Sequence, residues 1–278
     1  LNYVSLLYLK KYQLLKEEFI FMFKRLALVS LVVMFLFSCV GDSMAAGVKL
    51  QYDLKKGDTS KHRMKMKSTT SIGALGKVEK MDTETEMTLN QRVIDRDDKN
   101  AMYVLTSIEN VKTIVNGTPV DEQSNKTAEQ VFTMHMEPSG KILDTQGLKT
   151  EMSMQQMNLA FPEKPVEIGE SWTNTLKATE QIPTTLKMKY TVDKFEKVQG
   201  MDCVVIKSKV TSEASKPGVV SQLDVNADGT IWFAHKEGKI VKNAVIGTFG
   251  SVTNQVIDGK TEPIVTKVNI DLLMDLIK

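Results

Sequence analysis

The sequence predicts a mainly β protein: an antiparallel curved sheet, a half-barrel or open barrel of two similar halves, carrying one helix. Three observations predict it. Apolar and polar residues alternate with period two in several segments, Arg63-Met64-Lys65-Met66-Lys67 and Leu186-Lys187-Met188-Lys189-Tyr190-Thr191-Val192 most plainly. Turn dipeptides separate such segments: Asn116-Gly117, Asp228-Gly229 and Asp258-Gly259, where glycine supplies the positive φ of a tight hairpin. Sequence landmarks also recur along the chain.

Residues 1–21 read as a mis-assigned leader ahead of a start at Met22, the alternative being an amphipathic leader in which Leu6, Leu7 and Leu9 interleave with Lys10 and Lys11. From Met22 the pattern is that of an export signal spanning 22–46. Lys24-Arg25 is a basic start, Leu26 to Val40 an apolar run of roughly fifteen residues, and Ser43-Met44-Ala45 a small-residue cleavage site before Ala46. The run falls short of the ~20 residues of a membrane span. A second cleavage point competes. Leu36-Phe37-Ser38-Cys39 resembles a bacterial lipobox, in which Cys39 is acylated and becomes the new terminus, although Phe37 departs from that pattern. Cleavage between Ala45 and Ala46 frees the protein; acylation of Cys39 tethers it. The location expected is therefore exported: periplasmic, anchored at the outer membrane through that lipid, or secreted. The lipid anchor is the one membrane attachment the sequence offers.

The remaining 47–278 is long enough for one large β domain with its own core. Thirty-six basic residues against 34 acidic ones give a net charge of +2, interspersed along the chain, so nucleic acid is not an expected partner. Further strands are expected over Glu86 to Val93, Ala101 to Ser107 and Val204 to Val210, giving a sheet wet on one face. Cys203, in the run Cys203-Val204-Val205-Ile206, is expected to be a buried, inert thiol.

Two passages recur. Leu54-Lys55-Lys56-Gly57-Asp58 opens one set of strands and Val166-Glu167-Ile168-Gly169-Glu170 a second. Each set later reaches His-x-Glu and then Gly-Lys-Ile, at His135/Glu137/Gly140 and His235/Glu237/Gly238. The halves are placed at about 48–160 and 161–278, with duplication as their origin. Between them, Leu148, Met152, Gln155 and Leu159 share one helical stripe, predicting the helix over Leu148 to Ala160 that Pro162 ends. Met152 and Met157 make that helix either a core element or an adaptable lid over an apolar groove.

Phe161-Pro162-Glu163-Lys164-Pro165-Val166-Glu167-Ile168-Gly169-Glu170-Ser171-Trp172 resembles a phrase of an uncharacterised family of bacterial exported proteins and lipoproteins, Pro-x-x-Pro-Val-x-x-Gly-[Asp/Glu]-x-Trp. The resemblance implies an exported, mostly β protein of unknown function. At the level of fold, the plan is similar to lipoprotein carriers of the LolA/LolB type, which hold acyl chains in a half-barrel. The functional expectation is binding of a lipid or acyl chain without catalysis, in a groove lined by Met152, Met157 and Trp172. The alternative is a structural or protein-interaction module of the envelope, with an envelope protein as partner, and the third reading a hydrolase.

Chemistry-bearing motifs are sparse. Asp224-Val225-Asn226-Ala227-Asp228-Gly229 resembles the start of a calcium loop, with Asp224, Asn226 and Asp228 as oxygen donors. Its twelfth position is His235 rather than glutamate, and its flanks read as strands, so a metal-free hairpin turn competes with it. His135/Glu137 and His235/Glu237 are i, i+2 pairs that a metal could use if the halves met. His62 is expected on a solvated face and Asp97-Asp98 in a solvated turn. No Gly-x-Ser-x-Gly elbow and no phosphate-cradling glycine loop occurs, so neither a catalytic residue nor a cofactor is assigned.

Overall fold

A computed structural model describes residues 47–74, 77–147, 160–178, 184–213, 221–257 and 260–277. Alternation dominates it. In β1 (Thr59–Ala74) Arg63, Lys65 and Lys67 lie on one face, and Met64, Met66 and Ser68 are buried on the other. The following strands are β2 (Lys77–Arg96), β3 (Met102–Val115), the two-residue β4 (Thr118–Pro119), β5 (Gln130–Met136) and β6 (Ile142–Gln146). The second half supplies β7 (Ser171–Leu176), β8 (Leu186–Val198), β9 (Met201–Ser212), β10 (Ser221–Ala234), β11 (Lys239–Ile257) and β12 (Lys260–Leu276).

These form one antiparallel sheet in the order β6-β5-β3-β2-β1-β12-β11-β10-β9-β8-β7, with β4 paired to β3. Each half is a meander of sequential neighbours, and the two join where β1 pairs with β12, Thr70 opposite Val268. The order is that of an up-and-down barrel left open: β6 and β7 end the sheet and do not pair with each other.

The two halves repeat one joint, bond for bond. Gly57, at φ +95°, donates its N–H to Val93 O at 2.8 Å, and Val93 N–H donates to Asp58 O at 3.0 Å. In the second half Gly169, at φ +88°, donates to Val192 O at 2.8 Å, and Val192 N–H to Glu170 O at 2.9 Å. The carboxylates of Asp58 and Glu170 accept from the backbone N–H three residues earlier, both at 2.7 Å. A β-bulge follows each valine, between Val93 and Asp95 and between Val192 and Lys194.

The predicted strands fall within strands, except that Ala101 precedes β3 by one residue. Asn116-Gly117 is a tight turn with φ of 48° and 78°, and Ile257 pairs with Lys260 across 258–259. Asp228-Gly229 is not a turn: both residues sit in mid-β10, Gly229 opposite Val245 on one side and Ser208 on the other. Glycine there serves close approach rather than a reversal, since a Cβ on Gly229 would collide with the Ser208 hydroxyl of β9 and lie 3.4 Å from Val245 Cγ2. The predicted helix over Leu148 to Ala160 lies outside the described residues apart from Ala160. The helix that is described, α1 (Glu122–Thr127), starts at Asp121, whose carboxylate accepts from Ser124 N at 2.9 Å. No described helix is long and apolar enough to cross a membrane.

The outer face carries cross-strand ion pairs. Lys67 Nζ lies 2.7 Å from Glu84, and Glu86 sits between Arg63 (3.5 Å) and Lys65 (3.3 Å). All are exposed, and exposed pairs contribute little. Glu84→Gln is expected to cost about 0.5 kcal/mol or less, as a small shift of the urea midpoint that vanishes in high salt.

Candidate functional site

The buried face is the candidate site, and strand register dictates what it displays. One row runs Thr83–Ser68–Ile270–Gly247–Ala227–Val210–Met188 from β2 to β8. The next reads Thr85–Met66–Leu272–Val245–Gly229–Ser208–Tyr190–Trp172 and ends on edge strand β7. On the other side lie Thr70, Val268, Phe249 and Val225. Buried methionines recur across this face: Met64, Met66, Met102, Met134, Met188 and Met274. Thioether chains are flexible and polarizable, so such a wall adapts to an irregular apolar surface.

Aromatic side chains close one end. Phe161 lies 4.9 Å from Phe233, 5.4 Å from Tyr52 and 6.4 Å from Trp172 between ring centroids, and Trp172 stacks on Tyr190 at 5.3 Å. Phe161 is seated through its N–H, which donates to Ser139 O at 2.7 Å, and Asn174 holds the preceding Ala160 carbonyl at 3.1 Å. Burial pushes the Tyr190 phenol up from its ordinary pKa.

Polar groups also reach this face. The hydroxyls of Ser68, Thr70, Thr83 and Thr106 are buried with no hydrogen-bond partner among the described residues. Each such group costs about 1–3 kcal/mol. His62 is a correction to the sequence reading: it is 2% exposed, not solvated, because it shares parity with Met64 and Met66 rather than with Arg63 and Lys65. Its Nε2 lies 3.1 Å from Ile240 O, and since a carbonyl can only accept, Nε2 carries the proton. Nδ1 is buried without a partner among the described residues. Burial holds the imidazole below its ordinary pKa, aided by Lys239 and opposed by the Ile240 carbonyl and Asp275.

The sign of that shift gives a pH dependence. A folded-state pKa below the unfolded value of about 6.5 means the unfolded chain binds the proton first, so stability is full above that value and falls as pH drops through the window beneath it. Urea midpoints at pH 7.5 and 5.5 are expected to differ in the wild type, and the difference to shrink in His62→Leu.

The remaining predicted site residues are scattered. Asp224, Asn226 and Asp228 occupy alternate, outward positions of β10. Extended backbone spreads them along the strand instead of wrapping them around a cation. Asp228 pairs with Lys209 at 2.8 Å, and Asp224 accepts from Ser212 Oγ at 3.1 Å. These positions thus belong to an outer strand face rather than to a loop or a turn.

The two His-x-Glu sites stand on β5 and just beyond β10, far apart in the strand order. His135 stacks on Tyr103 at 4.2 Å and meets Asp97 Oδ2 at 3.0 Å, whereas His235 is buried beside Phe195. Asp97 is therefore a partnered turn residue. Burial works to raise its pKa, but the Ala101 N–H, His135 and the Lys99 N–H outweigh it and hold the carboxyl below its usual range. Among the described residues no group of three His, Cys, Asp or Glu side chains is placed to hold a metal. Cys203 is buried as its apolar run predicts, and that burial pushes the thiol up to about 11. Cys39, Ala45, Ala46, Met152 and Met157 lie outside the described residues; Trp172 is half-buried on β7. The hydroxyl rows and the aromatic plug were not read from sequence, although alternation alone places Ser68 and Thr70 with Met64 and Met66.

A search of curated proteins found no match. A DUF1329 family protein from Desulfovibrio piger is similar to this chain at 14% identity and a TM-score of 0.17, over 76% of this chain and 84% of its own. A domain from Vibrio parahaemolyticus, provisionally named an outer membrane lipoprotein-sorting protein, is similar at 10% identity and a TM-score of 0.17, over the same shares. A family of unknown function, DUF6263, matches residues 149–238, a stretch that contains the Pro-x-x-Pro-Val-x-x-Gly-Glu-x-Trp phrase.

Proposed function

We propose that this is an exported envelope protein that binds a lipid or other acyl-bearing ligand on the buried face of its open sheet, without catalysing a reaction. The observation that carries the reading is that face itself: a methionine-rich wall in a sheet left unpaired between β6 and β7. An unclosed meander retains a route by which an apolar chain can enter, and the thioethers accommodate its shape. Trp172, on the edge strand, forms the rim of the groove. Export rests on the Met22 to Ala46 pattern, with cleavage at Ala45/Ala46 or acylation at Cys39.

Native mass spectrometry of the purified mature protein is expected to show co-purifying lipid, and the stripped protein to take up a fluorescent acyl probe. Failure of both sinks the reading. The intact mass from membrane and soluble fractions distinguishes the two cleavage sites.

A second reading, an interaction module of the envelope, is favoured by one outer feature. Val78, Val265 and Val252 are exposed in a single row across β2, β12 and β11, with Gly73 of β1 between the first two. Crosslinking in cells separates the readings, since a carrier yields lipid and a scaffold yields protein.

A further inference from the structure

Three hydroxyls stand side by side on the buried face. Ser68 and Thr83 are register partners on β1 and β2, so their Cβ atoms lie about 4.5–5.5 Å apart. Thr70 is the next residue of β1 on that face, about 7 Å further along. They are 6%, 2% and 1% exposed respectively, and none has a hydrogen-bond partner among the described residues.

Their surroundings define what they can hold. The neighbours in register on the same face are Ile270 and Val268, followed by Gly247 and Phe249. The charged residues nearest in sequence, Lys67, Asp82 and Glu84, point to the opposite face, where Lys67 pairs with Glu84 and Asp82 accepts from Thr69. The cluster is therefore polar but uncharged. Each hydroxyl can donate one hydrogen bond as well as accept, so an acceptor oxygen of a ligand satisfies its free O–H. A carboxylate or phosphate brought here would lose its hydration, and no lysine or arginine is among the buried residues described, so it is strongly unfavourable. A neutral carbonyl oxygen carries no such cost.

We propose that Ser68, Thr70 and Thr83 form a hydrogen-bonding site for a carboxylic ester, the neutral oxygen group of an otherwise apolar acyl ligand. The inference rests on the ligand-binding reading above, and its test separates the two. The mature chain, stripped of lipid and loaded with a fluorescent acyl reporter, is titrated with three displacing probes of matched length: a long-chain methyl ester, the ionised fatty acid, and the hydrocarbon.

The ester is expected to displace the reporter about tenfold more tightly than either of the others, the scale of one well-formed hydrogen bond. The double variant Thr70→Val, Thr83→Val removes two hydroxyls while keeping the side-chain shape. It is expected to erase the ester preference, leave hydrocarbon affinity unchanged and not lower the thermal midpoint, because no protein partner is lost. Ser68→Ala reports the same ratio should the double variant fail to fold. Equal binding of ester and hydrocarbon, tightest binding of the ionised acid, or an ester preference that survives the substitutions each overturns this inference and leaves the ligand reading intact. Binding of none of the three overturns both.

Discussion

Phe233→Ala is expected to lower the stability of the fold by about 3–5 kcal/mol, among the largest effects a single truncation produces. The ring is fully buried and stands at a β-bulge, where register shifts between Trp232 and Phe233. It touches two aromatics supplied by irregular segments: Phe161 at 4.9 Å, and Tyr52 edge-on at 6.4 Å. Removing it leaves a void that three separate stretches of chain must collapse to fill, and backbone bonds such as Phe161 N–H to Ser139 O limit that collapse. The measurement is the urea midpoint, expected to fall at unchanged slope. Phe233→Leu, which keeps most of the volume, is expected to cost much less. A loss below about 1 kcal/mol for the alanine variant would show that the aromatic plug is not part of the core.

Gly140→Ala carries the second large effect, through two causes that can be separated. The residue sits at φ +91° in the turn between β5 and β6, its N–H donating to Glu137 O at 2.9 Å. Any side chain there incurs about 1–2 kcal/mol of left-handed strain. A Cβ would also lie 2.5 Å from Cε2 of Tyr52, whose ring is wedged against Phe161 and cannot swing away freely. Overpacking of that kind costs about 1–3 kcal/mol more. Gly169→Ala is the control, since its φ is +88° but its Cβ would meet open space. The difference between the two urea midpoints isolates the Tyr52 contact, and equal losses would deny it.

Much of the sheet is legible because alternation is a local signal. Met64 and Met66 against Lys65 and Lys67 fix the parity of β1, and that parity then assigns every other residue of the strand. His62 was misjudged from its basic neighbours when its position in the alternation was the better guide. At Asp228-Gly229 the turn dipeptide misled for the same reason: Val225, Ala227 and Ile231 continue a period of two straight through it. Helix α1 was missed because it buries no apolar stripe, and its signals are only the Asp121 cap and the charges of Glu122 in its first turn and Lys126 in its last. The Gly57 and Gly169 joints were visible as recurring phrases because a positive φ narrows the choice of residue. The aromatic plug was not, since Tyr52, Phe161 and Phe233 are distant in sequence and nothing local links them. The same holds for the hydroxyl row, which exists only once β1 and β2 are in register.

The pairing of β1 with β12 has a kinetic consequence. Within each half, neighbouring strands are close in sequence and can zip as successive hairpins at little loop-closure cost. The central seam unites segments from opposite extremes of the described chain, His62 with Leu276 and Thr70 with Val268. Such a non-local ladder forms only after nearly everything between its strands has ordered, which makes it the slow step of assembly. Until it forms, β1 and β12 each present an open edge, and the nascent protein is at its most vulnerable to edge-to-edge association.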